Sequence, residues 1–277
     1  SAASDVYKRQ YGILIAFKNF SPKLGIMGSE WVGLQHFQRF LSSSDFQRVL
    51  GNTLKISLTT LVCEFPAPIL LALLLNEMPN RRVKKVVQTF SYLPHFISMV
   101  VICGMIKIFV ANDGLIGAIA ARLTGNNSSL LMQSNKFLPI YVISSIWQAV
   151  GWESIIYLAA LASVDPQLYE AAEIDGAGRW KQTLHVTIPC IMPTVVIMLI
   201  LRVGGLMNVG YEKIILLYNP AIYETSDVIS SFVYRKGILE RSYSYSSAVG
   251  LFNSLINCLL LFGSNWFSRR MNNTSLW

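Results

Sequence analysis

Five stretches, residues 56–75, 93–111, 137–164, 188–210 and 247–267, are apolar over about the 20 residues a helix needs to cross a bilayer. Hydrocarbon offers no partner to a backbone amide or carbonyl, so segments of this kind must satisfy their own hydrogen bonds as helices. Only 14% of the chain is charged and 53% is hydrophobic, against about 25% charged in soluble domains. The expected fold is all-α and polytopic, with about five complete transmembrane helices.

The polar residues between and within these runs give the order of the chain. Residues 21–49 read as an external segment ending in a short amphipathic pattern at Arg48. The first run carries Glu64, Pro66 and Pro68, and two prolines imply a kink whose freed carbonyls are covered by neighbours. Arg81, Arg82, Lys84 and Lys85 follow within a loop of about a dozen residues, and positive charge in a short loop marks the cytoplasmic side. Lys107 sits near the far end of the second run, where its stem reaches headgroups. An external loop at 112–136 holds a short amphipathic helix at 115–123 and a turn at Gly125, Asn126 and Asn127. The third run contains Trp147, Trp152 and Glu153, and the fourth opens on Pro189 and Pro193 with Arg202 deeper. Residues 211–244 are polar and external, with a capped amphipathic helix at 225–234 too short to span. Ser268, Arg269 and Arg270 close the last run. Alternation then places the Arg81 cluster, the island at 165–189 and the C-terminus on one, cytoplasmic, face.

Several function classes have no support. The net charge of +8 is scattered between apolar runs, which suits lipid headgroups and not nucleic acid. Cys63, Cys103, Cys190 and Cys258 lie far apart inside apolar runs, and His36, His95 and His185 are dispersed, so neither a disulfide frame nor a metal site is expected, and no cofactor. Residues 1–10 are polar and 11–17 apolar, too short a run for a span and without the basic start and cleavage site of a signal peptide.

The island at 165–189, DPQLYEAAEIDGAGRWKQTLHVTIP, carries the most specific pattern. Asp165 and Pro166 form a helix start, because the carboxylate caps and the proline needs no amide partner. Tyr169, Glu170, Ala171, Ala172 and Glu173 continue it to Asp175. Gly176, Ala177 and Gly178 then supply a break, and a second short turn containing Trp180 runs from 179 to 185. Small Ala171 and Ala172 allow close approach, and Glu170, Glu173 and Asp175 give charge for docking. The spacing of Glu170-Ala171-Ala172, three residues, Gly176, nine residues, and Val186-Thr187-Ile188-Pro189 resembles the EAA loop of ATP-binding-cassette (ABC) importer permeases. Val186 and Ile188 replace that pattern's isoleucine and leucine.

The resemblance extends over nearly the whole chain, through Asp165-Pro166, Tyr169-Glu170, Ile174-Asp175-Gly176-Ala177 and Trp180. It continues in Tyr92-Leu93-Pro94, Thr225-Ser226-Asp227-Val228-Ile229, Tyr234-Arg235 with Gly237, and Ala248-Val249-Gly250-Leu251-Phe252-Asn253. These look like the carbohydrate-uptake, polysaccharide or oligosaccharide, branch of the binding-protein-dependent transport family. The resemblance implies a type I ABC importer permease fold with a truncated first span, so that residues 1–20 are a residual or artefactual N-terminus and 21–277 the transmembrane domain. An amphipathic surface start is the alternative. It further implies a transport subunit, not an enzyme, in a bacterial cell membrane, whose partners are a second homologous permease, two ABC ATPase subunits and an extracellular or periplasmic solute-binding protein delivering a sugar. Tyr169 to Gly178 and Trp180 would then couple to the ATPase, and the missing G-x-x-x-x-G-K-[ST] fits a subunit with no nucleotide site of its own.

Polar groups in membrane runs are costly and often functional, which makes Glu64, Glu153, Arg202, Asn208, Asn253 and Asn257 candidates for the substrate path. Trp147, Trp152 and Tyr211 could stack on sugar rings. The plainer alternative pairs Glu64 with Arg202 and bonds the asparagines across helix contacts. Other function hypotheses are a permease for a non-sugar solute, an ion-coupled carrier that needs no docking knob, and a membrane enzyme, for which no clustered catalytic set appears.

Overall fold

The computed structural model describes residues 12–125 and 128–272. The first eleven positions of the 1–20 segment, and Asn126 and Asn127 of the expected turn, lie outside the described residues. The fold is helical: α1 (Gln35–Leu41), α2 (Ser44–Glu64), α3 (Pro66–Glu77), α4 (Arg81–Tyr92), α5 (Met99–Val110), α6 (Leu115–Thr124), α7 (Ser134–Ala162), α8 (Pro166–Ile174), α9 (Arg179–Gln182), α10 (Ile188–Gly204), α11 (Tyr211–Leu217), α12 (Ile229–Tyr234) and α13 (Tyr243–Asn272). A two-residue antiparallel ladder pairs Lys18 with Trp31 and Asn19 with Glu30. Among the described residues four spans are long and apolar enough to cross a membrane: Ser44–Glu77, Met99–Leu123, Arg179–Gly204 and Tyr243–Arg270. The fifth expected crossing is α7, whose 29 residues reach about 43 Å but whose apolarity is diluted by Ser144, Ser145, Gln148 and Ser154.

Several boundaries differ from the expectations, each for a local reason. The first crossing begins at Ser44, well before residue 56, and its break falls at Phe65. That residue keeps helical angles (φ −60°, ψ −42°) and Pro66 takes the first position of α3, so the two pieces follow on as one 34-residue span. The second crossing starts at Met99 and not at residue 93, because Leu93–Phe96 is a 3-10 turn around Pro94 and Ile97 is extended. The Arg81 cluster is not a loop but the first turns of α4. Asn80 caps that helix by accepting from the amides of Arg82 (2.9 Å) and Val83 (3.3 Å). The fourth crossing takes in α9 and ends at Gly204. The helix expected at 225–234 is interrupted, since Asp227 and Val228 are extended and α12 begins at Ile229.

The described residues divide into two compact units: those within 1–58, 99–139 and 205–259 form the first, and those within 59–98, 140–204 and 260–277 the second. The first is built on an aromatic cluster. Phe40, 1% exposed, sits 5.2 Å from Phe46, 5.7 Å from Phe252 and 6.1 Å from Phe232. In the second, Ala72, Tyr157, Leu161 and Ile191 bury one another and tie α3, α7 and α10 together.

In that second unit α7 passes close to α4 at Gly151, where an added Cβ would lie 2.0 Å from the Ser91 carbonyl oxygen. The nearest atom is backbone, so no rotamer change relieves it. Gly151→Ala is expected to destabilise the protein by about 2 kcal/mol, as overpacking does, seen as a lower unfolding temperature in detergent. An unchanged temperature would show that α4 yields freely at this point.

Candidate functional site

The local chemistry of 165–189 explains its spacing. The Asp165 carboxylate accepts from the Gln167 amide at 2.9 Å, starting α8. At the other end Gly176 has φ +75°, its amide donates to Glu173 O (3.0 Å) and the Ala177 amide donates to Ala172 O (2.9 Å). These two bonds are a Schellman ending, which needs a left-handed residue one place beyond the cap and favours glycine there. The alanine pair and Gly176 are thus one device: Ala172 supplies the accepting carbonyl and Gly176 the turn. A new helix starts at once in α9, and the Gln182 side-chain amide donates back to Ala177 O at 2.9 Å. A single π turn, Thr183–Thr187, carries α9 into α10. Tyr169 and Thr187 share a hydrogen bond of 3.0 Å between their hydroxyls, bracing α8 against the π turn.

What this joint presents outward is apolar as well as charged. Ile174 is 88% and Trp180 74% exposed. Glu170, Ala171, Glu173, Asp175 and Gly178 are exposed too, whereas Tyr169, Ala172 and Ala177 are half-buried in the joint.

The membrane polar residues fall into separate groups. In the second unit Arg202 pairs with Glu64 and, at 3.1 Å, with Glu153. The plainer pairing of Glu64 with Arg202 is present, and Glu153 joins it as a second carboxylate, giving a triad of net charge −1 when all three groups are ionised. Trp152, next to Glu153, stacks on His95 with centroids 4.6 Å apart and planes 2° from parallel, and meets Phe96 edge-on at 5.5 Å. Trp147 stands apart from that stack, in a groove of ≈340 Å³ with Val86, Phe90 and Pro94.

In the first unit the asparagines form one cluster. Asn208 Oδ1 accepts from the side-chain amides of Asn253 and Asn257, both at 3.0 Å, while Asn257 Oδ1 accepts from the Met207 amide at 3.0 Å. Tyr211 is stacked on Tyr234 at 6.3 Å.

The sequence set His95 aside as one of three dispersed histidines, and its stacking on Trp152 has no signal there beyond a histidine beside a proline at a helix entrance. It also passed over the Asp227 centre of the first unit. Asp227, fully buried, accepts from Arg235 at 2.6 and 3.1 Å, from Ser231 at 2.8 Å and from Arg48 at 3.5 Å. Burial works against the Arg235 charge, but the Asp227 hydrogen bonds and charge outweigh it and raise its pKa. Burial, then the adjacent Tyr223, pushes the Tyr218 phenol up to about 12.

Residues 64–273 match the family described as binding-protein-dependent transport system inner membrane component. The chain is 42% identical to the protein LplB of Bacillus subtilis (strain 168) over 98% of its own length and 85% of that protein. It is 40% identical, over the same shares, to the polygalacturonan/rhamnogalacturonan transport system permease protein YteP of the same organism. Among solved structures it superposes with a TM-score of 0.89 and 39% identity on a chain of a bacterial alginate ABC transporter, captured with an alginate pentasaccharide-bound periplasmic protein, covering 98% of this chain and 90% of that one. YteP is by name a transport system permease protein, and this chain is a transport subunit of that kind and not an enzyme. The described helices and the matched span agree in placing this chain in the type I ABC importer permease fold, as a member of the family of binding-protein-dependent transport system inner membrane components.

Proposed function

We propose that the chain is the permease subunit of an ATP-driven importer of oligosaccharides or polysaccharide fragments and supplies half of the translocation path beside a second, homologous permease. A solute-binding protein delivers the sugar from outside, and two ATPase subunits drive the cycle from the cytoplasm, where the 165–189 loop and the C-terminus lie. Named relatives carry polygalacturonan, rhamnogalacturonan and alginate, which favours a sugar as the solute. The observation that carries the mechanical part is the braced joint with Ile174 and Trp180 facing outward. Large apolar side chains on a helix-turn-helix held by Tyr169 and Thr187 form a knob suited to a partner's cleft. Closure of the ATPase pair would move the knob, and with it α10, as one rigid body. Trp152, Glu153 and Arg202 are the groups we assign to the sugar path in the second unit.

The expected result of Ile174→Asp with Trp180→Asp is loss of at least about tenfold in ATPase subunits recovered with the detergent-solubilised permease, with uptake falling in parallel. Both side chains are exposed, so the unfolding temperature of the isolated chain should stay within a degree or two of wild type. Full recovery of the ATPase with the double variant would remove the knob from the coupling path and favour an ion-coupled carrier.

A further inference from the structure

We propose that α4 and the facing side of α7 form a binding site for one anionic glycerophospholipid, its headgroup on the basic end of α4 and an acyl chain in the groove beside Trp147. This site needs only the chain's place in a membrane and holds whatever solute is carried. The sequence of α4, RRVKKVVQTFSY, belongs to none of the four apolar spans, and none of its residues is buried. At about 100° per residue its side chains sort into two sides. Val83, Val86, Val87 and Phe90 share an arc of about 100°, the width of an apolar helix stripe. Arg82 borders that arc on one edge and Lys84 on the other, with Arg81 and Lys85 on the opposite side. Arg82 stands one turn before Val86 on the same line, about 6 Å away. Such a helix lies in a membrane interface, its apolar side to the acyl chains and its basic side to the headgroups.

The groove gives the site its shape. Val86, Val87, Phe90 and Pro94 face Trp147 and Val150 of α7 around a volume of ≈340 Å³, within the roughly 300–1,000 Å³ range of small-molecule sites. The chain leaves it open, with Val86 53%, Phe90 69% and Trp147 45% exposed. Ser91 and the Trp147 indole are the only polar side chains on its wall, too few to hold a sugar, whereas an acyl chain asks for none. Charge then selects the lipid. Arg81, Arg82, Lys84 and Lys85 stand within one turn, and 81–92 contains no Asp or Glu. Among the described residues no ion pair engages any of the four, so their charge is left for a ligand. Asn80 fixes their place, since its cap on the amides of Arg82 and Val83 sets where α4 begins. Pro79, Asn80, Arg81 and Arg82 border an open depression at that end, with room for a headgroup. A zwitterionic lipid balances its phosphate with its own ammonium, but phosphatidylglycerol leaves that charge for Arg82 and Lys84. A soluble anion meets the same charges and makes no use of the groove, so charge and chain together define the occupant.

The test uses the complete transporter with its partner subunits, its native cysteines replaced by alanine, Cys63, Cys103, Cys190 and Cys258 among them. Val86→Cys carries a bimane fluorophore, and the complex is reconstituted in phosphatidylcholine vesicles holding a small fraction of acyl-brominated phosphatidylglycerol or acyl-brominated phosphatidylcholine. Bromine quenches only at contact, so the fluorophore reads which lipid fills the groove. At equal fraction phosphatidylglycerol should occupy the site at least about fivefold more strongly, the factor expected from even one basic side chain at the surface. Arg82→Gln with Lys84→Gln should bring the two lipids level, while quenching by brominated phosphatidylcholine keeps its original value and shows that the groove is intact. Arg269→Gln with Arg270→Gln, an exposed basic pair at the end of α13, should leave the preference unchanged. Equal quenching by the two lipids overturns the site, as does a preference that survives Arg82→Gln with Lys84→Gln or falls as far with the α13 pair. Displacement of brominated phosphatidylglycerol by soluble glycerol phosphate would reduce the site to an anion patch, and a preference seen only when the ATPase subunits are left out would assign the basic face to them. Either result overturns the lipid site and leaves the permease reading intact.

Discussion

Arg202→Met is expected to destabilise the protein by about 3 kcal/mol, measured as earlier unfolding of the detergent-solubilised chain. Removing one partner from a buried ion pair typically costs about 3–5 kcal/mol because the other charge stays behind. Here two carboxylates stay behind. Glu64 is 5% exposed and has nowhere to turn, whereas the Arg202 side chain is 35% exposed, which argues for the lower end of the range. The diagnostic is the neutral set: Glu64→Gln and Glu153→Gln added to Arg202→Met should recover most of the loss, since well-packed neutral groups often replace a buried ion set at little cost. A triple variant as unstable as the single one would mean that the guanidinium acts by packing, and the charge argument would fail. Transport separates a second role from the first. If the triad only holds helices together, the stable triple variant imports normally; if Arg202 and Glu153 face the sugar, it folds and imports poorly.

The helices of this chain were legible because hydropathy is a local property and the bilayer demands one solution to it. The island at 165–189 was legible for a related reason: the Asp165 cap opens α8, and Ala172 and Gly176, at fixed spacing, close it in a single Schellman ending between Ala172 and Ala177. What misled were places where one local signal was weighed without its neighbour, or where a residue's role depends on a distant partner. Arg81 to Lys85 read as a loop because charge density was weighed and the Asn80 cap was not. Residues 225–234 read as one helix from their side-chain period, yet Asn52 draws the Asp227 carbonyl at 3.0 Å and Thr53 accepts the Ile229 amide at 2.9 Å. Those two contacts span more than 170 positions of sequence and hold the backbone extended just where a helix would have continued. Glu64, Glu153 and Arg202 were each visible as costly polar groups, but that all three meet is a fact of packing. Likewise Tyr211 and Asn253 stood out singly, and only the fold sets them on one cavity with Tyr234 and Tyr243.

Asp227→Asn should be the most damaging single change in the first unit, costing about 3–4 kcal/mol, although asparagine matches aspartate in size. Two arginines compete for the carboxylate, and they are not equivalent. Arg48 lies 3.5 Å away with its side chain 37% exposed and a second partner in Asp45 at 2.5 Å, so it can turn outward. Arg235 is 16% exposed, doubly bonded to Asp227 and packed over the Tyr223 ring at 4.8 Å, so its charge stays where it is. The loss therefore belongs to Arg235, and Arg235→Met on top of Asp227→Asn should restore about half of it, whereas Arg48→Met alone should cost less than about 1 kcal/mol. Salt provides an independent check. An enclosed pair is barely screened, so molar sodium chloride should leave wild-type unfolding nearly unchanged, and a large salt-induced loss would place Asp227 in contact with solvent. The consequence reaches the cavity of the first unit, because Asp227 and Ser231 fix the start of α12, and α12 carries Tyr234 to the cavity wall. Loosening Asp227 should thus loosen the Tyr234–Tyr211 stack before it unfolds the protein. At temperatures where Asp227→Asn is still folded, a Ser247→Cys thiol on that cavity wall should already be labelled faster by a water-soluble maleimide than in the wild-type background.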